Sequence, residues 1–503
     1  MTSFALERIL ASPPTAGGDL ILGSLGGVTR MPLTEVFVRS SVVAEHLQSL
    51  GLGPGDSIGI LAANCLEWVL LDLAALRLKI RTAGFDPGKF RLEDDLAARY
   101  DLRWLFTDKG ADDPASRVST LSSLPTGLDG QVNQIVPPMY AAEDTTTIKF
   151  TSGSTGAPKG LAATVGSIDS SLSAVQQVFQ HGPPDNLFIF LPLSLLQQRY
   201  WIYSALAFGH DVTLSTYQAA FLTLGQAKPT VVMGVPAFFE TARRHIQGPS
   251  TASRDTESLK ARARQLFGPN IRYLWTGSAP ADSATLHFYR EVGLPIYEGY
   301  GLNETCIVTK NHPGASREGS VGQALAGKRV VIEADGSVVV CSDFPVNDAY
   351  LHAPPGASEK IFVAPGRVRT GDLGYLDEDG FLFIKGRNDD VIVLDNGKKI
   401  DIQPIEARFR EAPWVAECVI FCLDQKDLVA VLSPAGSLDE ATNVHGLRQQ
   451  INARSQPDEQ VCRTVVADEP FSIDNGLLTS QYKPIRRAIF ERFQSRLTAK
   501  VEA

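Results

Sequence analysis

No apolar run in the chain reaches membrane-spanning length. The richest stretches, Trp68 to Leu76 and Leu187 to Leu196, are short or interrupted by Asp72 and Pro192. The first ten residues carry Glu7 and Arg8 and no basic stretch ahead of an apolar core, so they do not read as a secretory signal. An excess of one charge is also missing. Against 47 Lys and Arg stand 56 Asp and Glu, a net charge of −9, which excludes nucleic-acid binding through bulk basicity; no nucleic-acid partner is expected. The six cysteines are scattered, and none sits in a Cys/His cluster with zinc spacing. They predict free thiols in a reducing cytoplasm, with Cys418 and Cys422 on one face of a strand because their spacing is even. No internal repeat or low-complexity tract stands out.

What remains is an ordinary globular composition, 44% apolar and 20% charged over 503 residues, long enough for two or more domains. Strand and helix patterns alternate. Thr34 predicts a helix N-cap, with Val36, Phe37, Val43 and Leu47 following and Gly51 as the stop. Ser57 to Ala62 predicts a buried strand and Leu66 to Leu76 a helix. The alternation continues through strand Leu187 to Leu191, helix Gln197 to Phe208, strands Val212 to Leu214 and Thr230 to Met233, helix Pro236 to Ile246 and strand Tyr273 to Trp275. This is an α/β pattern. From about Gly366, Gly, Asp and Lys become dense and short strands follow, at Phe381 to Ile384, Val391 to Leu394, Cys418 to Leu423 and Leu428 to Leu432. A last helix begins near Pro484. The expectation is a large N-terminal domain of α/β layers over residues 1–388 and a smaller α+β domain over residues 389–503.

The strongest local signal is TSGSTGAPKG, Thr151 to Gly160, directly after the β-branched strand-like run Thr145 to Phe150. Its three glycines leave backbone amides free to approach an anion. Thr151, Ser152, Ser154 and Thr155 add hydroxyl donors, and Lys159 adds a positive charge, so Thr151, Ser152, Gly153, Ser154, Thr155, Gly156 and Lys159 form a loop suited to phosphates. It is not a Walker A loop, because Gly156 is followed by Ala157-Pro158-Lys159. Nor is it a Gly-x-Ser-x-Gly nucleophile elbow, because Ser152 and Ser154 lack the flanking glycines.

This segment resembles the phosphate-binding loop of the acyl-adenylate-forming superfamily, which includes acyl- and aryl-CoA synthetases, peptide-synthetase adenylation domains and luciferases. Further segments resemble that family in order. Gly277, Ser278 and Ala279, in GSAP, are similar to the segment that lies against adenine. Glu298, Gly299, Tyr300, Gly301, Asn303 and Glu304, in EGYGLNET, resemble its Tyr-Gly-x-Thr-Glu segment. Asp372 in TGDLG and Arg387 after Gly386 resemble the ribose-binding pair. Lys483 sits where the family keeps its catalytic lysine, and the run Phe471 to Arg487 is most similar to the fatty acyl-CoA synthetase and carboxylic acid reductase branches.

The resemblance implies ATP and Mg²⁺ as cofactors, a small-molecule carboxylic acid as substrate, and CoA or a phosphopantetheine thiol as co-substrate. Glu304 is then the metal ligand, since hard carboxylate oxygen suits Mg²⁺. Asp372 can accept both ribose hydroxyls. Lys483 can bridge the substrate carboxylate and the α-phosphate as a point charge with three donors. Asp389, two residues after Arg387, matches the hinge about which the small domain rotates.

Two positions depart from the family. Asn303 stands where Thr is usual, and still offers a donor and an acceptor. Leu195 stands where many relatives have His, beside the acyl pocket that Ser194, Leu195 and Gln198 are expected to border. Amino-acid-activating relatives carry an Asp near this point, whereas Asn186 to Trp201 contains no acidic residue. A buried ammonium without a partner would cost several kcal/mol, so a fatty, branched or aryl acid is expected. Two rival expectations remain: an adenylating enzyme that loads an acyl carrier protein in trans, since only a short helical tail follows Lys483, and a nucleotide-binding protein that has lost catalysis.

Overall fold

The computed structural model describes residues 3–128, 136–151, 158–248, 255–277, 279, 281–387, 391–394, 399–422, 426–436, 443–479 and 481–498. It divides into two compact units. The first comprises Met1–Glu333, Val339–Thr370 and Leu376–Phe383, and the second Ala334–Val338, Gly371–Tyr375 and Ile384–Ala503.

Two sheets dominate the first unit. One has nine strands, in the order Gln323–Ala324, Cys306–Lys310, Ile296–Leu302, Tyr273–Thr276, Val231–Gly234, Asn186–Ile189, Asp211–Leu214, Asp19–Ser24 and Gly27–Pro32. The six strands from Ile296–Leu302 to Asp19–Ser24 run parallel, and the edges are antiparallel. The other sheet has six strands, in the order Val118–Thr120, Trp104–Thr107, Ser57–Leu61, Arg81–Phe85, Thr145–Thr151 and Lys159–Thr164, parallel except for the last pair. The α/β alternation expected from the sequence is what the chain forms. One detail is corrected. Helix Leu33–Ser49 begins one residue before Thr34, its N-cap position is Pro32, and no side chain caps it. The chain enters this helix directly from strand Gly27–Pro32, and Pro32 supplies an extended backbone (ψ 138°) that turns it.

Helix Leu196–Phe208 is buried on nearly all sides, unlike an ordinary surface helix. Its residues Tyr200, Trp201 and Tyr203 share one apolar cluster with Leu187 and Ile189 of the nine-stranded sheet and with Ile58 and Ile60 of the six-stranded sheet. In this interior sits an ion pair: Arg199 Nη1 lies 2.8 Å from Asp72 Oδ1 of helix Leu66–Arg77. The same nitrogen donates to Thr82 Oγ1 at 2.9 Å and Thr147 Oγ1 at 3.1 Å. Tyr203 donates to Asp72 Oδ2 at 2.5 Å.

In the second unit, strands Val415–Cys422 and Leu428–Pro434 pair antiparallel, and Leu428–Pro434 pairs parallel with Val461–Val466. Successive residues of the first strand point to opposite faces. Cys418 and Ile420 enter one apolar cluster, against which Cys422 packs, and Val419 enters another with Ile489 and Phe493 of helix Arg486–Thr498. All six cysteines are free. Among the described residues no helix is long and apolar enough to cross a membrane.

Replacing Arg199 with Met leaves Asp72 charged in the interior without its cation. Arg199→Met is expected to lower stability by about 3–5 kcal/mol, and adding Asp72→Asn should recover part of the loss. Urea unfolding followed by tryptophan fluorescence reads both effects.

Candidate active site

The glycine-rich loop closes a hairpin. Thr151 and Lys159 are cross-strand partners, as are Phe150 and Gly160. Ser152, Gly153, Ser154, Thr155 and Gly156 lie outside the described residues, as do Ser278 and Asp389. Lys159 leaves the loop with Nζ 5.1 Å from the centroid of the Tyr350 ring. The Tyr350 hydroxyl donates to Glu304 Oε1. Lys159 and Glu304, 145 positions apart in sequence, thus meet on one tyrosine. Burial and the Glu304 carboxylate both raise the Tyr350 phenol above its ordinary pKa, which keeps it a donor. Nothing in the local sequence marks Tyr350, since a lone tyrosine after a short strand has no spacing to read.

Glu304 and Asn303 stand in a turn between strands Ile296–Leu302 and Cys306–Lys310. Thr305 N donates to Leu302 O at 3.2 Å, and Leu302 N donates to Thr305 Oγ1 at 2.9 Å. Cys306 takes φ +57°, the left-handed region that a non-glycine residue seldom adopts. Lys149, from the strand that leads into the glycine-rich loop, holds this turn from below. Its ammonium donates to Asn303 O and lies 3.6 Å from Cys306 Sγ, and Tyr200 OH lies 3.1 Å from the same sulfur. At Gly301 there is no room for a side chain: a Cβ would fall 1.9 Å from Cys306 O.

The segment around Gly277 and Ala279 is tied to the strand that carries Glu298 to Gly301. Ala281 N donates to Glu298 Oε1 at 3.2 Å, and a Cβ on Gly277 would lie 3.4 Å from Gly299 O. Burial raises the Glu298 carboxyl pKa. Beneath it, Lys310 is fully buried. Its Nζ donates to Thr276 O at 3.2 Å and Tyr297 O at 2.7 Å, and lies 3.7 Å from the Trp275 ring centroid. Thr276 ends strand Tyr273–Thr276, at the carboxyl edge of an α/β sheet where ligands bind, and Tyr297 lies near the start of the neighbouring parallel strand Ile296–Leu302. Burial pushes the Lys310 ammonium well below its ordinary pKa, and Glu298 opposes that shift. Gly299 is glycine because a Cβ there would meet Lys310 Cδ at 2.6 Å.

Leu195 caps helix Leu196–Phe208 and packs against the cluster containing Phe188, Phe190 and Leu191. Ser194 approaches strand Arg81–Phe85 so closely that a Cβ on Gly84 would lie 2.7 Å from its Cα. Asn64 staples this loop, donating to Leu191 O and Ser215 O, each at 2.9 Å, and accepting from Leu193 N at 2.8 Å. Gln198 is buried one turn into the helix, and its Oε1 finds no hydrogen-bond partner among the described residues.

The remaining expected residues belong to the second unit. Arg387 Nη1 lies 3.5 Å from Asp372 Oδ1, and Gly371 precedes the pair at φ +77°. Lys483 ends a tight turn: Thr479 N donates to Lys483 O at 2.8 Å, and Lys483 N to Thr479 Oγ1 at 3.1 Å. Arg486 anchors that turn, donating to both carboxylate oxygens of Glu406 at 2.7 and 2.9 Å and to Ile420 O at 3.2 Å.

Comparison with known proteins places this geometry. The model of the AMP-binding enzyme family matches residues 24–341, and that of the AMP-binding enzyme C-terminal domain matches residues 389–501. The long-chain-fatty-acid–CoA ligase FadD15 of Mycobacterium bovis is 26% identical, over 94% of this chain and 92% of its own. The 2-succinylbenzoate–CoA ligase of Bacillus subtilis is also 26% identical, over 90% of this chain and 93% of its own. Among solved structures, o-succinylbenzoate CoA synthetase (MenE) from Bacillus subtilis, in complex with the acyl-adenylate intermediate OSB-AMP, superposes with a TM-score of 0.79 at 21% identity, covering 97% of this chain and 98% of that one. The A-PCP didomain of carboxylic acid reductase from Segniliparus rugosus, in complex with AMP, gives 0.76 at 18% identity, covering 99% and 82%. The two structural matches describe a shared fold.

A methyl group at Gly301 collides with a backbone carbonyl, which cannot swing aside as a side-chain end can. Gly301→Ala is expected to cost about 1–3 kcal/mol or more and to weaken nucleotide binding. Gly182→Ala, where a Cβ meets nothing within 4 Å, should change neither. Thermal unfolding and an ATP-binding titration of both variants check the contrast.

Proposed function

The chain belongs to the AMP-binding enzyme family, and from that premise we propose that it is an acid–thiol ligase: it activates a carboxylic acid with ATP to acyl-AMP and pyrophosphate, then transfers the acyl group to CoA. The observation that carries this reading is the meeting of Lys159 and Glu304 on Tyr350 at the exit of the phosphate loop. A cation and a carboxylate brought together beside such a loop suit a metal-bound triphosphate.

In the first half-reaction a carboxylate oxygen attacks the α-phosphorus, and the bond to the bridging oxygen of pyrophosphate breaks. Substrate carboxylate and triphosphate repel each other, so the protein must hold both. The 151–159 loop with Lys159 holds the phosphates. Gly277 to Ala279 and Glu298 to Gly301 form the adenine side, and Asp372, kept in place by Arg387, accepts the ribose hydroxyls. Glu304 fits a Mg²⁺ ion, being a hard anionic donor with one oxygen already oriented by a hydroxyl. That ion, when bound, offsets charge on the transferring phosphoryl group and on pyrophosphate. Lys483, displayed on its anchored turn, steers the carboxylate onto phosphorus. In the second half-reaction the thiol sulfur attacks the acyl carbon and AMP leaves. Residues 389–503 act as the mobile domain in this reading, with Asp389 as hinge.

The acid is one without an α-amino group. Helix Leu196–Phe208 and the loop before it offer no carboxylate to an ammonium, and Leu195 presents an apolar side chain. Both ligase relatives act on acids of that kind by name. The free thiols suit a cytoplasmic enzyme. A phosphopantetheine thiol on a carrier protein acting in trans is the chemically equivalent acceptor, and turnover with CoA alone separates the two.

Acid-dependent exchange of labelled pyrophosphate into ATP should occur without any thiol, and a fatty acid should outcompete its α-amino analogue. If no acid in a panel of fatty and aryl carboxylates supports exchange, the chain is a nucleotide-binding protein and not a ligase. Lys483→Ala removes one preorganised cation and should slow exchange by about 10²–10³. Thioester formation from synthetic acyl-AMP should be largely spared, because that step steers no carboxylate onto phosphorus. Equal loss of both steps overturns the assignment of Lys483 to adenylation alone.

A further inference from the structure

Tyr350 is tied to three elements at once. Its backbone N donates to Ser358 Oγ at 3.0 Å, and its ring meets Phe362 edge-on at 5.1 Å. The next residue, Leu351, exchanges hydrogen bonds with Gly160: Gly160 N to Leu351 O at 2.9 Å and Leu351 N to Gly160 O at 2.7 Å. Asn347 Nδ2 adds a bond to Ala162 O at 2.9 Å. The segment therefore lies along the exit of the glycine-rich loop, joined to it by an antiparallel β-bridge at Leu351 and by Asn347. From this fixed base the phenol reaches Glu304 Oε1, and the ring faces Lys159 Nζ at 5.1 Å.

We propose that Tyr350 is a positioning residue for the metal carboxylate: its hydroxyl fixes the rotamer of Glu304, leaving the second oxygen for the cation, while its ring seats Lys159 on the phosphate side. The proposal rests on the reading of Glu304 as the Mg²⁺ ligand. Metal-binding carboxylates need such an outer partner, because an unrestrained glutamate spends much of its time in rotamers that miss the ion. A phenol suits the task. It is a donor to a carboxylate at neutral pH, brings no charge of its own, and offers a π face to a cation. The two contacts use different parts of one side chain, so two substitutions separate them. Tyr350→Phe removes the hydroxyl and keeps the ring, and Tyr350→Leu removes both.

The test uses the full chain and a non-hydrolysable probe, α,β-methylene-ATP, whose affinity is measured by calorimetry with and without Mg²⁺. The ratio of the two affinities is the metal enhancement. Tyr350→Phe should reduce that ratio by about 10-fold or more while metal-free affinity stays at the wild-type value. Tyr350→Leu should show the same loss of enhancement and, in addition, a metal-free affinity about two- to fivefold lower, through Lys159. A destabilised fold would lower both affinities together and leave the ratio alone. Glu304→Gln distinguishes the layers. If it abolishes the enhancement while Tyr350→Phe keeps it, or makes it larger because the phenol competes with the ion, the proposal fails and the reading of Glu304 stands. If Glu304→Gln keeps the wild-type enhancement, the reading fails and the proposal with it.

Discussion

The buried pair of Arg199 and Asp72 is the contact on which the rest of the first unit depends. Both side chains are almost wholly removed from water, at 1% and 4% exposure, and each would be prohibitively unstable there alone. Because Arg199 also donates to Thr82 and Thr147, one guanidinium ties helix Leu196–Phe208 to helix Leu66–Arg77 and to two strands of the six-stranded sheet. The helix begins at the proposed acyl pocket, so the ion pair sets where Leu195 and Gln198 stand. Desolvating the pair consumes much of its Coulombic gain. What remains is registration: the charges meet in one arrangement, whereas apolar side chains would tolerate several.

That registration continues into the proposed phosphate site through the twofold period of a strand. Thr147, Lys149 and Thr151 are spaced by two, and Ile148 and Phe150 between them pack into a separate apolar cluster. Thr147 bonds Arg199, and Lys149 bonds the carbonyl of Asn303. Tyr200, the neighbour of Arg199, reaches Cys306 across the same turn. A connected set of contacts thus runs from the interior ion pair to the turn that presents Glu304, and through Tyr350 to Lys159. Lys149 and Lys310 serve the same purpose at two places, each burying its side-chain nitrogen to satisfy backbone carbonyls of strand Ile296–Leu302, its neighbour Tyr273–Thr276 or the turn that follows. Buried amino groups are costly where stability alone is at stake unless hydrogen bonds satisfy them. Here they tie the backbone carbonyls of Thr276, Tyr297 and Asn303 to the interior, beside the proposed nucleotide site.

Legibility in the sequence follows the range of the interactions. Strands such as Tyr273–Thr276 and helices such as Leu66–Arg77 announce themselves as apolar runs of the right length, buried at nearly every position. The hairpin Asp19–Pro32 carries no such announcement, since its second strand is largely exposed and mixed in composition. The helix start at Leu33 was obscured because Thr34 has the chemistry of a cap while Pro32 has the backbone of one. Asp72 is visible as a charge inside an apolar run and Lys149 as the one charge in a β-branched strand, and a buried charge demands a partner. Their partners lie 127 and 154 positions away, and no local pattern spans that distance. Tyr350 is the extreme case: its importance lies wholly in what it touches.

The two departures from the family pattern look different once the contacts are known. At position 303 the scaffold uses the backbone carbonyl, which Lys149 holds, and the turn is closed by Thr305 and by the left-handed Cys306. None of these contacts involves the side chain of residue 303. Exchanging Thr for Asn there leaves the presentation of Glu304 intact. At position 195 the isobutyl group packs against the apolar cluster that contains Phe188, Phe190 and Leu191, so it belongs to the wall of that cluster. An imidazole at that place would lose this packing and would need a polar partner of its own. In the proposed reading the departures bear on which acid is accepted, through the apolar side chain at Leu195, more than on whether phosphoryl chemistry takes place.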